Sequence, residues 1–259
     1  KGWYNTKSER SMLLNRSFLV NKEGKSITGD TIFYDKASKC GEVSGKAVLN
    51  DTVQKSTLYG NYVYYKEDTE LGIATDSALL VDWSDEKKHM FIHADTLQTR
   101  KDSIYSEAWA WRNVRLYRED IQGISDSLMY SSRDSVINLL NQPVIWQENQ
   151  QFSSEKIRIF TKNKEVERVH MQQAAMSAEK IDSLYYNQLS GKDIIAHVDS
   201  GQVRRVEVNG NAETIYFVRE DADSTLIGAN RTESSFVVMY FLNKKVDRII
   251  LTPSSSGIF

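Results

Sequence analysis

The feature that most constrains this chain is a short strand motif that recurs along its length. Its clearest copy occupies residues 27–35 and reads as apolar, any, small, Asp-like, any, apolar, any, and Tyr or apolar. Repetition of one supersecondary unit is typical of a fold in which neighbouring copies stack and share a core. The steps between copies are irregular, which predicts related strands joined by turns of different length rather than a solenoid with a fixed rung. The Asp-like position of the copies is occupied by Asp30, Asn61, Asp76, Asp95, Asp126, Glu155, Glu179 and Asn230.

A second type of strand lies between some of these copies. Residues 43–51 and 206–217 each carry a Gly-x-Ala core within an alternating pattern, and residues 114–117 and 144–146 look like degenerate versions of it. The two types together predict a chain that runs out along one strand and returns along the next.

The spacing of apolar residues within each copy predicts a strand. In most copies the residues two and four positions after the Asp-like one are apolar, as Ile32 and Tyr34 are after Asp30. A spacing of two places both side chains on one face. The apolar residue three positions before, Ile27 in this copy, has the opposite parity. Either a β-bulge interrupts the strand near the small residue, or both faces are partly buried.

Composition and turn signals both favour an all-β fold. The chain has 2 prolines and 13 tyrosines, and valine, isoleucine and threonine recur, as expected for long pleated strands. Polar clusters at 35–39, 66–70 and 84–88 are typical of hairpin turns. Residues 172–187 are the best candidate for a helix, although they also hold a copy of the motif.

Antiparallel strands with one apolar face must bury it, and a two-sheet jelly roll, a barrel or a stacked sandwich would each do so. Repetition favours an elongated stack, whose terminal strands leave unpaired backbone groups available for edge-to-edge pairing. No linker rich in Gly, Ser or Pro divides the chain, so residues 1–259 are assigned to a single domain. The abrupt end at 253–259 leads us to expect truncation at the C-terminus.

The motif and the strands between its copies resemble the OstA/LptA family, which carries lipopolysaccharide across the periplasm. The resemblance rests on residues 27–35, on the further copies, and on the Gly-x-Ala strands at 45–47 and 210–212. It covers most of residues 24–252, within which 185–205 fit poorly. The chain is longer than a typical LptA protein. It is more similar to the larger OstA-like proteins of the Bacteroidetes type, or to the periplasmic part of the outer-membrane partner LptD.

The resemblance implies an all-β, elongated jelly roll of stacked V-shaped antiparallel layers, with the acyl chains of lipopolysaccharide in an apolar interior. It also implies head-to-tail strand pairing, with itself or with other Lpt-type components, and a periplasmic location, with outer-membrane association as a further expectation. Ordinary sandwich core is the alternative for the apolar residues that follow the Asp-like positions. The residues expected to line a lipid-binding groove are Ile32, Tyr34, Val63, Tyr65, Leu80, Leu97, Leu128, Tyr130, Ile157 and Ile159.

No residue pattern predicts catalysis, a metal site or a cofactor. His89 and His93 are four residues apart, about 13 Å along a strand, which is too far to share one ion. The repeated acids follow a small residue, which favours a backbone role at a bulge or turn, whereas catalytic residues are usually unique. Cys40 is the single cysteine and has no nearby histidine in the sequence. The net charge of -2 argues against a nucleic-acid partner.

Three functions are open on the sequence alone. The leading hypothesis is a non-enzymatic periplasmic lipid carrier, because a lengthwise channel of apolar side chains is all that acyl chains require. A carbohydrate-active β-helix or jelly-roll enzyme predicts a unique cluster of acids on one exposed sheet face, and wet aromatic platforms such as Trp109 and Trp111. A structural or adhesive surface repeat predicts a fully packed core.

Overall fold

The computed structural model of this chain describes residues 1–22, 24–101, 104–163, 165–220, 225–243 and 245–259. Within these residues the chain is almost entirely β-strand, and the only helical segment is a 3₁₀ turn at Glu67–Thr69. The all-β prediction is therefore confirmed. None of the described segments forms a helix of the length and hydropathy needed to span a membrane. Contacts divide the chain into two compact units, Lys1–Asp134 and Ser135–Phe259, and the assignment of 1–259 to a single domain stays a prediction.

The first unit is an antiparallel meander, in which each strand pairs with the next along the chain. Two-residue periodicity and polar turns produce this arrangement directly, because each turn returns the chain beside the strand it has just left. The strands are β1 Gly2–Asn5, β2 Arg10–Val20, β3 Ser26–Asp35, β4 Cys40–Asp51, β5 Ser56–Lys66, β6 Leu71–Asp82, β7 Met90–Lys101, β8 Ser106–Arg118 and β9 Ile121–Ser131.

The second unit is also antiparallel. From β13 onwards its strands pair in sequence, while β10 pairs with β13, β11 with β12, and β12 with β14. The pairs β10–β11 and β12–β13 therefore behave as two bent strands, each interrupted at its bend. The strands are β10 Val136–Leu140, β11 Val144–Gln147, β12 Gln150–Ser153, β13 Lys156–Lys162, β14 Glu165–Lys180, β15 Tyr186–Asp199, β16 Gln202–Arg219, β17 Leu226–Leu242 and β18 Lys245–Ile258.

The helix candidate at 172–187 is wrong, because these residues lie in β14, the following turn and the start of β15. In β14 the inward positions Met171 and Ala175 are at most 2% exposed and lie on either side of a bend. Between them the bend leaves Gln173 and Ala174 exposed, so the inward residues of β14 lack the strict alternation of a regular strand.

The long strands bend near their middle, where the register between neighbours shifts. In β3, Ile27 and Gly29 face inward before the shift, while Ile32 and Tyr34 face inward after it. The change of parity therefore comes from a β-bulge rather than from burial of both faces. On alternating strands the bend contains two consecutive residues of positive φ. These pairs are Gly45–Lys46, Asp76–Ser77, Arg112–Asn113, Asn141–Gln142, Gln173–Ala174 and Gly210–Asn211.

Acidic side chains on the intervening strands bind these bends. Asp193 Oδ1 accepts a hydrogen bond of 3.0 Å from the backbone N–H of Gln173, and Asp95 accepts one of 3.1 Å from the side chain of Asn113. Asp30 lies directly over the bend of β4, where a Cβ on Gly45 would be 2.5 Å from its Oδ2. Of the three, Asp193 bonds the backbone itself, whereas Asp95 bonds a side chain and Asp30 lies against the bend, so the backbone role expected of the repeated acids stays a prediction.

The motif copies do not all lie at such positions. Asp76 itself adopts positive φ, at 59°, so β6 belongs to the second type of strand. Glu179 and Asn230 lie away from the bends of β14 and β17. In contrast, β15 contains a copy that the motif search missed, with Gly191 as the small residue and Asp193 displaced from the expected position by one.

We expect Asp193→Ala to lower the free energy of unfolding by about 1 kcal/mol, because the amide of Gln173 loses its acceptor. Urea denaturation followed by tryptophan fluorescence would measure the change. Asp193→Asn keeps an oxygen acceptor and should cost less than half as much. Equal losses for both variants would contradict a role for the hydrogen bond.

Each bend divides a layer into two halves, here called arms, whose inner faces are directed toward each other. In the first unit, arm A contains the half-strands with Ile32, Val63 and Leu128, and arm B contains those with Leu49, Leu58 and Leu80. The contact between the arms is direct, since a Cβ on Gly72 of arm A would lie 3.9 Å from Leu58 Cδ2 of arm B. Arm A comprises residues 10–14, 31–35, 40–44, 62–66, 71–75, 96–101, 106–111 and 127–131. Arm B comprises 17–20, 26–28, 47–51, 56–59, 78–82, 90–93, 114–118 and 121–125.

The core of each unit is a row of apolar residues that lie directly opposite one another on successive strands. We call these two sets the central rows, and none of their members is more than 4% exposed. Full burial of such side chains stabilises the fold by roughly 1.5–3 kcal/mol for each large one. The central row of the first unit is Ile32, Val43, Val63, Ala74, Leu97, Ala110 and Leu128. That of the second is Leu139, Ile157, Met171, Ile194, Val208 and Val237.

Candidate lipid-binding face

All ten residues expected to line a groove face the interior between the arms, but they fall into two classes. Five of them, Ile32, Val63, Leu97, Leu128 and Ile157, belong to the central rows and are at most 4% exposed. Side chains enclosed to this degree are packed against protein neighbours and leave no room for an acyl chain beside them. The remaining five lie further from the bend.

In the first unit these outer positions form two facing rows, here called the mouth rows. Tyr34, Tyr65 and Tyr130 belong to the row on arm A, two residues beyond the central row, and Leu80 belongs to the row on arm B. Most members are half-buried, so both rows combine apolar character with partial access to solvent. The arm A row is Tyr34, Gly41, Tyr65, Gly72, Thr99, Ala108 and Tyr130, and the arm B row is Ile27, Leu49, Leu58, Leu80, Ile92 and Leu116.

The two inner rows of the second unit differ in polarity. Ile159 lies in a row beyond the central row that is apolar at every position, Ile137, Ile159, Val169, Ala196, Val206 and Met239. The inner row on the other side of the bend is mixed, since Ile145, Phe152 and Leu189 are apolar whereas Ser177, Thr214 and Thr232 are polar. The arm B row of the first unit is therefore apolar at every position, whereas the corresponding row of the second unit mixes apolar and polar residues.

An ion-pair cluster joins the tips of the two arms in the first unit. Lys25 Nζ lies 3.4 Å from Asp51 of arm B and 3.8 Å from Glu70, which follows the turn at the tip of arm A. Burial alone would lower the pKa of Lys25, but Asp51, Glu70 and Tyr65 together raise it above its ordinary value. We call Lys25, Asp51 and Glu70 the tip clasp.

Two tyrosines of the arm A row, Tyr34 and Tyr65, have hydroxyl groups whose pKa is raised. Tyr34 donates a hydrogen bond of 3.2 Å to Glu67, and burial, followed by the charge of Glu67, raises its pKa. Burial also raises the pKa of Tyr65, although nearby Lys25 opposes the change. Tyr34 and Tyr65 thus present their rings inward and keep neutral hydroxyl groups.

The outer face of arm A is rich in aromatic residues. Trp109 and Trp111 have parallel rings, 1° apart in orientation, with centroids separated by 6.4 Å, and Trp111 is 36% exposed. Phe33 and Tyr64 lie on the same face, in the row that contains Trp109. This is the wet aromatic platform that the carbohydrate hypothesis predicts.

Two cavities in the described part of the chain are small and polar. One, of about 200 Å³, is lined by Arg100, Tyr105, Glu107 and Arg133. The other, of about 340 Å³, lies at the bends of β14 and β15 and is lined by Lys156, Gln172, Gln173, Lys192 and Asp193. Neither has the apolar lining of a lengthwise channel.

The residues considered for catalysis or metal binding are not brought together. Among the described residues, no group of three or more His, Cys, Asp or Glu side chains has the geometry to hold a metal ion. His93 lies in β7 and His89 precedes that strand. Cys40 Sγ lies 3.0 Å from the hydroxyl of Tyr64, its partner in a sulfur hydrogen bond.

A scan against protein-family models and a search of curated proteins found no match to this chain. Among solved structures, a match is LptH, described as the LptA homologous periplasmic component of the conserved lipopolysaccharide transport device from Pseudomonas aeruginosa. The identity is 16%, the match covers 56% of this chain and 81% of that chain, and the TM-score is 0.26. A likeness of this size carries no argument about fold or function.

Sequence patterns missed the tip clasp. Lys25 and Glu70 are far apart in the sequence, and each lies in an ordinary polar turn. They meet because the two arms fold over each other at the bends. The sequence held one signal. Lys25 lies in the turn before β3 and Glu70 in the turn before β6, so residues of opposite charge occupy these two turns.

We expect Lys25→Gln to lower the free energy of unfolding by up to about 1 kcal/mol at neutral pH, and by less in high salt. Because the folded-state pKa is raised, the contribution of Lys25 is complete below its unfolded value of 10.5. It is lost as the pH rises through the folded value. Thermal unfolding at several pH values and salt concentrations measures this. Lys55→Gln is the control, since its partner Glu86 is 87% exposed. Equal effects of both variants would contradict the clasp.

Proposed function

We propose that this protein is a non-enzymatic periplasmic lipid-binding protein that holds the acyl chains of lipopolysaccharide between the mouth rows of its first unit. One observation carries the proposal: facing apolar rows, half-buried rather than enclosed, continue in register across the strands of that unit. An acyl chain leaving water gains about 0.8 kcal/mol for each methylene buried. Rows that extend over many strands match the length of such a chain without any covalent step.

The central rows and the mouth rows have different roles under this proposal. The central rows hold the two arms together at the bend and contain no space for a ligand. The mouth rows separate to admit the chain, and the tip clasp limits that separation. The hydroxyl groups of Tyr34, Tyr65 and Tyr130 would then lie where the acyl chains meet the polar part of the lipid.

Pairing with further subunits is part of the proposal. Strand β18 pairs only with β17 among the described residues, so one side of its 14 residues is an open edge. An open edge recruits a strand through backbone hydrogen bonds. We propose that such edges join copies of this chain or related components, at the outer membrane or between the two membranes.

In-cell photocrosslinking tests the lipid site. A photoreactive amino acid at Tyr34, Tyr65, Tyr130 or Leu80 should form adducts with lipopolysaccharide. The controls are Phe33 and Tyr64, which neighbour these tyrosines in the sequence and face outward. Adducts from the inner positions with few from the controls are expected. No adduct from any inner position, or equal yields from both faces, would refute the proposal.

A second candidate function, carbohydrate binding, is favoured by the parallel rings of Trp109 and Trp111. Flat aromatic faces next to hydrogen-bonding side chains such as Gln98 suit the apolar faces of sugar rings. Titration of the protein with oligosaccharides, followed by tryptophan fluorescence, tests it. A saturable change that is abolished by Trp111→Ala, with lipid crosslinking intact, would assign a sugar-binding role to this face.

A further inference from the structure

A compact cationic group lies on the outer face of the second unit. Arg158 lies opposite His170, and Phe160 lies opposite Arg168, on the paired strands β13 and β14. The four side chains therefore form a rectangle on one face, with the two arginines on a diagonal. Both guanidinium groups contact the same ring, with Arg168 Cζ 4.0 Å and Arg158 Cζ 4.9 Å from the centroid of Phe160. We call these four residues the arginine tile.

The tile lacks a carboxylate to balance its charge. Within the described chain neither arginine forms an ion pair, and the buried atoms Arg158 Nε and His170 Nε2 have no hydrogen-bond partner. Burial, together with the charges of Arg158 and Arg168, lowers the pKa of His170, while Asp193 acts in the opposite direction. Two cations held against one ring repel each other, and an anion between their free N–H groups would remove that repulsion.

A neighbouring arginine shows what a balanced site looks like on the same face. Arg205 contacts both Glu207 and His197, so its charge is already compensated. The face continues to Arg248, which lies 4.5 Å from the ring centroid of Tyr240. The arginine tile is thus distinguished from Arg205 by the absence of an acid.

The side chains around the tile point to a ligand that is carried by a lipid. The row containing Arg158 and His170 continues through Ile195, Glu207, Val238 and Ile250, and Ile250 is 39% exposed. Cationic groups interspersed with aromatic and aliphatic side chains are characteristic of surfaces that meet the head-group region of a membrane. A soluble anion would require the cations but not the apolar side chains further along this row.

We propose that the arginine tile binds the phosphate of a phosphomonoester lipid head group. The two guanidinium groups offer paired N–H donors to the phosphate oxygens, as arginine does at phosphate sites generally. Because both guanidinium groups contact the ring of Phe160, their orientation is fixed before the ligand arrives. The tile lies in the second unit and uses no residue of the mouth rows, so its occupation does not depend on acyl-chain binding there.

Vesicle binding by the full chain tests the proposal. Phosphatidylcholine vesicles containing phosphatidic acid supply the phosphomonoester, and pure phosphatidylcholine vesicles are the blank. The double variant Arg158→Gln/Arg168→Gln should bind the phosphatidic acid vesicles about tenfold or more weakly, because two charge-assisted contacts are lost. Arg231→Gln is the matched control. It removes an arginine of the same unit that is paired with Glu213 and Glu233, and it should leave binding unchanged.

Two further measurements separate the sources of phosphate and the effect of folding. Arg168→Lys keeps the charge but loses the paired donors, and it should bind at an intermediate level while folding normally. In NMR titrations, inorganic phosphate should shift the His170 resonances of the wild type only weakly compared with soluble, short-chain phosphatidic acid. Equal vesicle binding by wild type and double variant would overturn the proposal. A strong response to inorganic phosphate without binding to the vesicles would overturn the lipid source.

Discussion

Replacing Ile157 with alanine is expected to lower the free energy of unfolding by about 3 kcal/mol, one of the largest losses for any single substitution in this chain. Ile157 is completely enclosed in the central row, between Leu139 and Met171. Removing its side chain beyond Cβ would leave a cavity that neighbours on paired strands cannot fill without breaking register. Urea denaturation followed by circular dichroism measures the loss.

Ile159→Ala is the matched control for this experiment. Ile159 has the same chemistry and lies on the same strand and face, two residues further from the bend, but it is only half-buried. Its loss should therefore be about 1 kcal/mol. A comparable loss at both positions would show that the two rows are equally packed. The distinction between a core row and a row available to ligand would then be wrong for this unit.

Ile157 and Ile159 also show how much of the structure the sequence could predict. The motif placed Ile157 and Ile159 on one inner face, and the pairing confirms that placement. It could not separate the packed residue from the accessible one, because both have the same period and the same side chain. Burial depends on distance from the bend, and that distance is set by register shifts between strands that the motif does not describe.

The bends, too, could be predicted only in part from the sequence. The mismatch in parity between Ile27 and Ile32 indicated that either a bulge or two buried faces was present, and the structure shows the bulge. The alternation of strand types was stricter than the motif suggested. Asp76 has the residue type expected of one strand and the positive φ of the other. An aspartate tolerates the left-handed region through local hydrogen bonding, so residue type alone did not distinguish the two roles.

The mixed inner row of the second unit could not be predicted from the motif either. The rows on arm B of the first unit and on the corresponding half of the second arise from the same alternation of strands. Yet the first is apolar throughout, whereas the second mixes Phe152 and Leu189 with Ser177 and Thr214. The alternation of apolar and polar residues along a strand predicts which of its residues share a face. Which residues form the facing row follows only from the pairing of the strands. This is why the ten predicted lining residues included positions in both units.

Gly29→Ala is expected to be nearly as damaging as a core deletion, although it adds only one methyl group. A Cβ at this position would lie 2.2 Å from Cγ1 of Val43, a β-branched side chain with little freedom to move. The expected loss is about 2 kcal/mol, typical of overpacking a well-filled core. The same close approach recurs in the second unit, where a Cβ on Gly191 would lie 2.4 Å from Val208 Cγ1. The small residue of the motif therefore has a steric cause.

Two further variants isolate that cause. Gly41→Ala is the matched control, because its Cβ would meet nothing nearer than 3.7 Å. This variant should be neutral or slightly stabilising. In the double variant Gly29→Ala/Val43→Ala the clash is removed, so the loss should be at least about 1 kcal/mol smaller than the sum of the two single losses. Additive losses in urea denaturation would mean that Gly29 is required for its backbone freedom rather than for the approach of Val43.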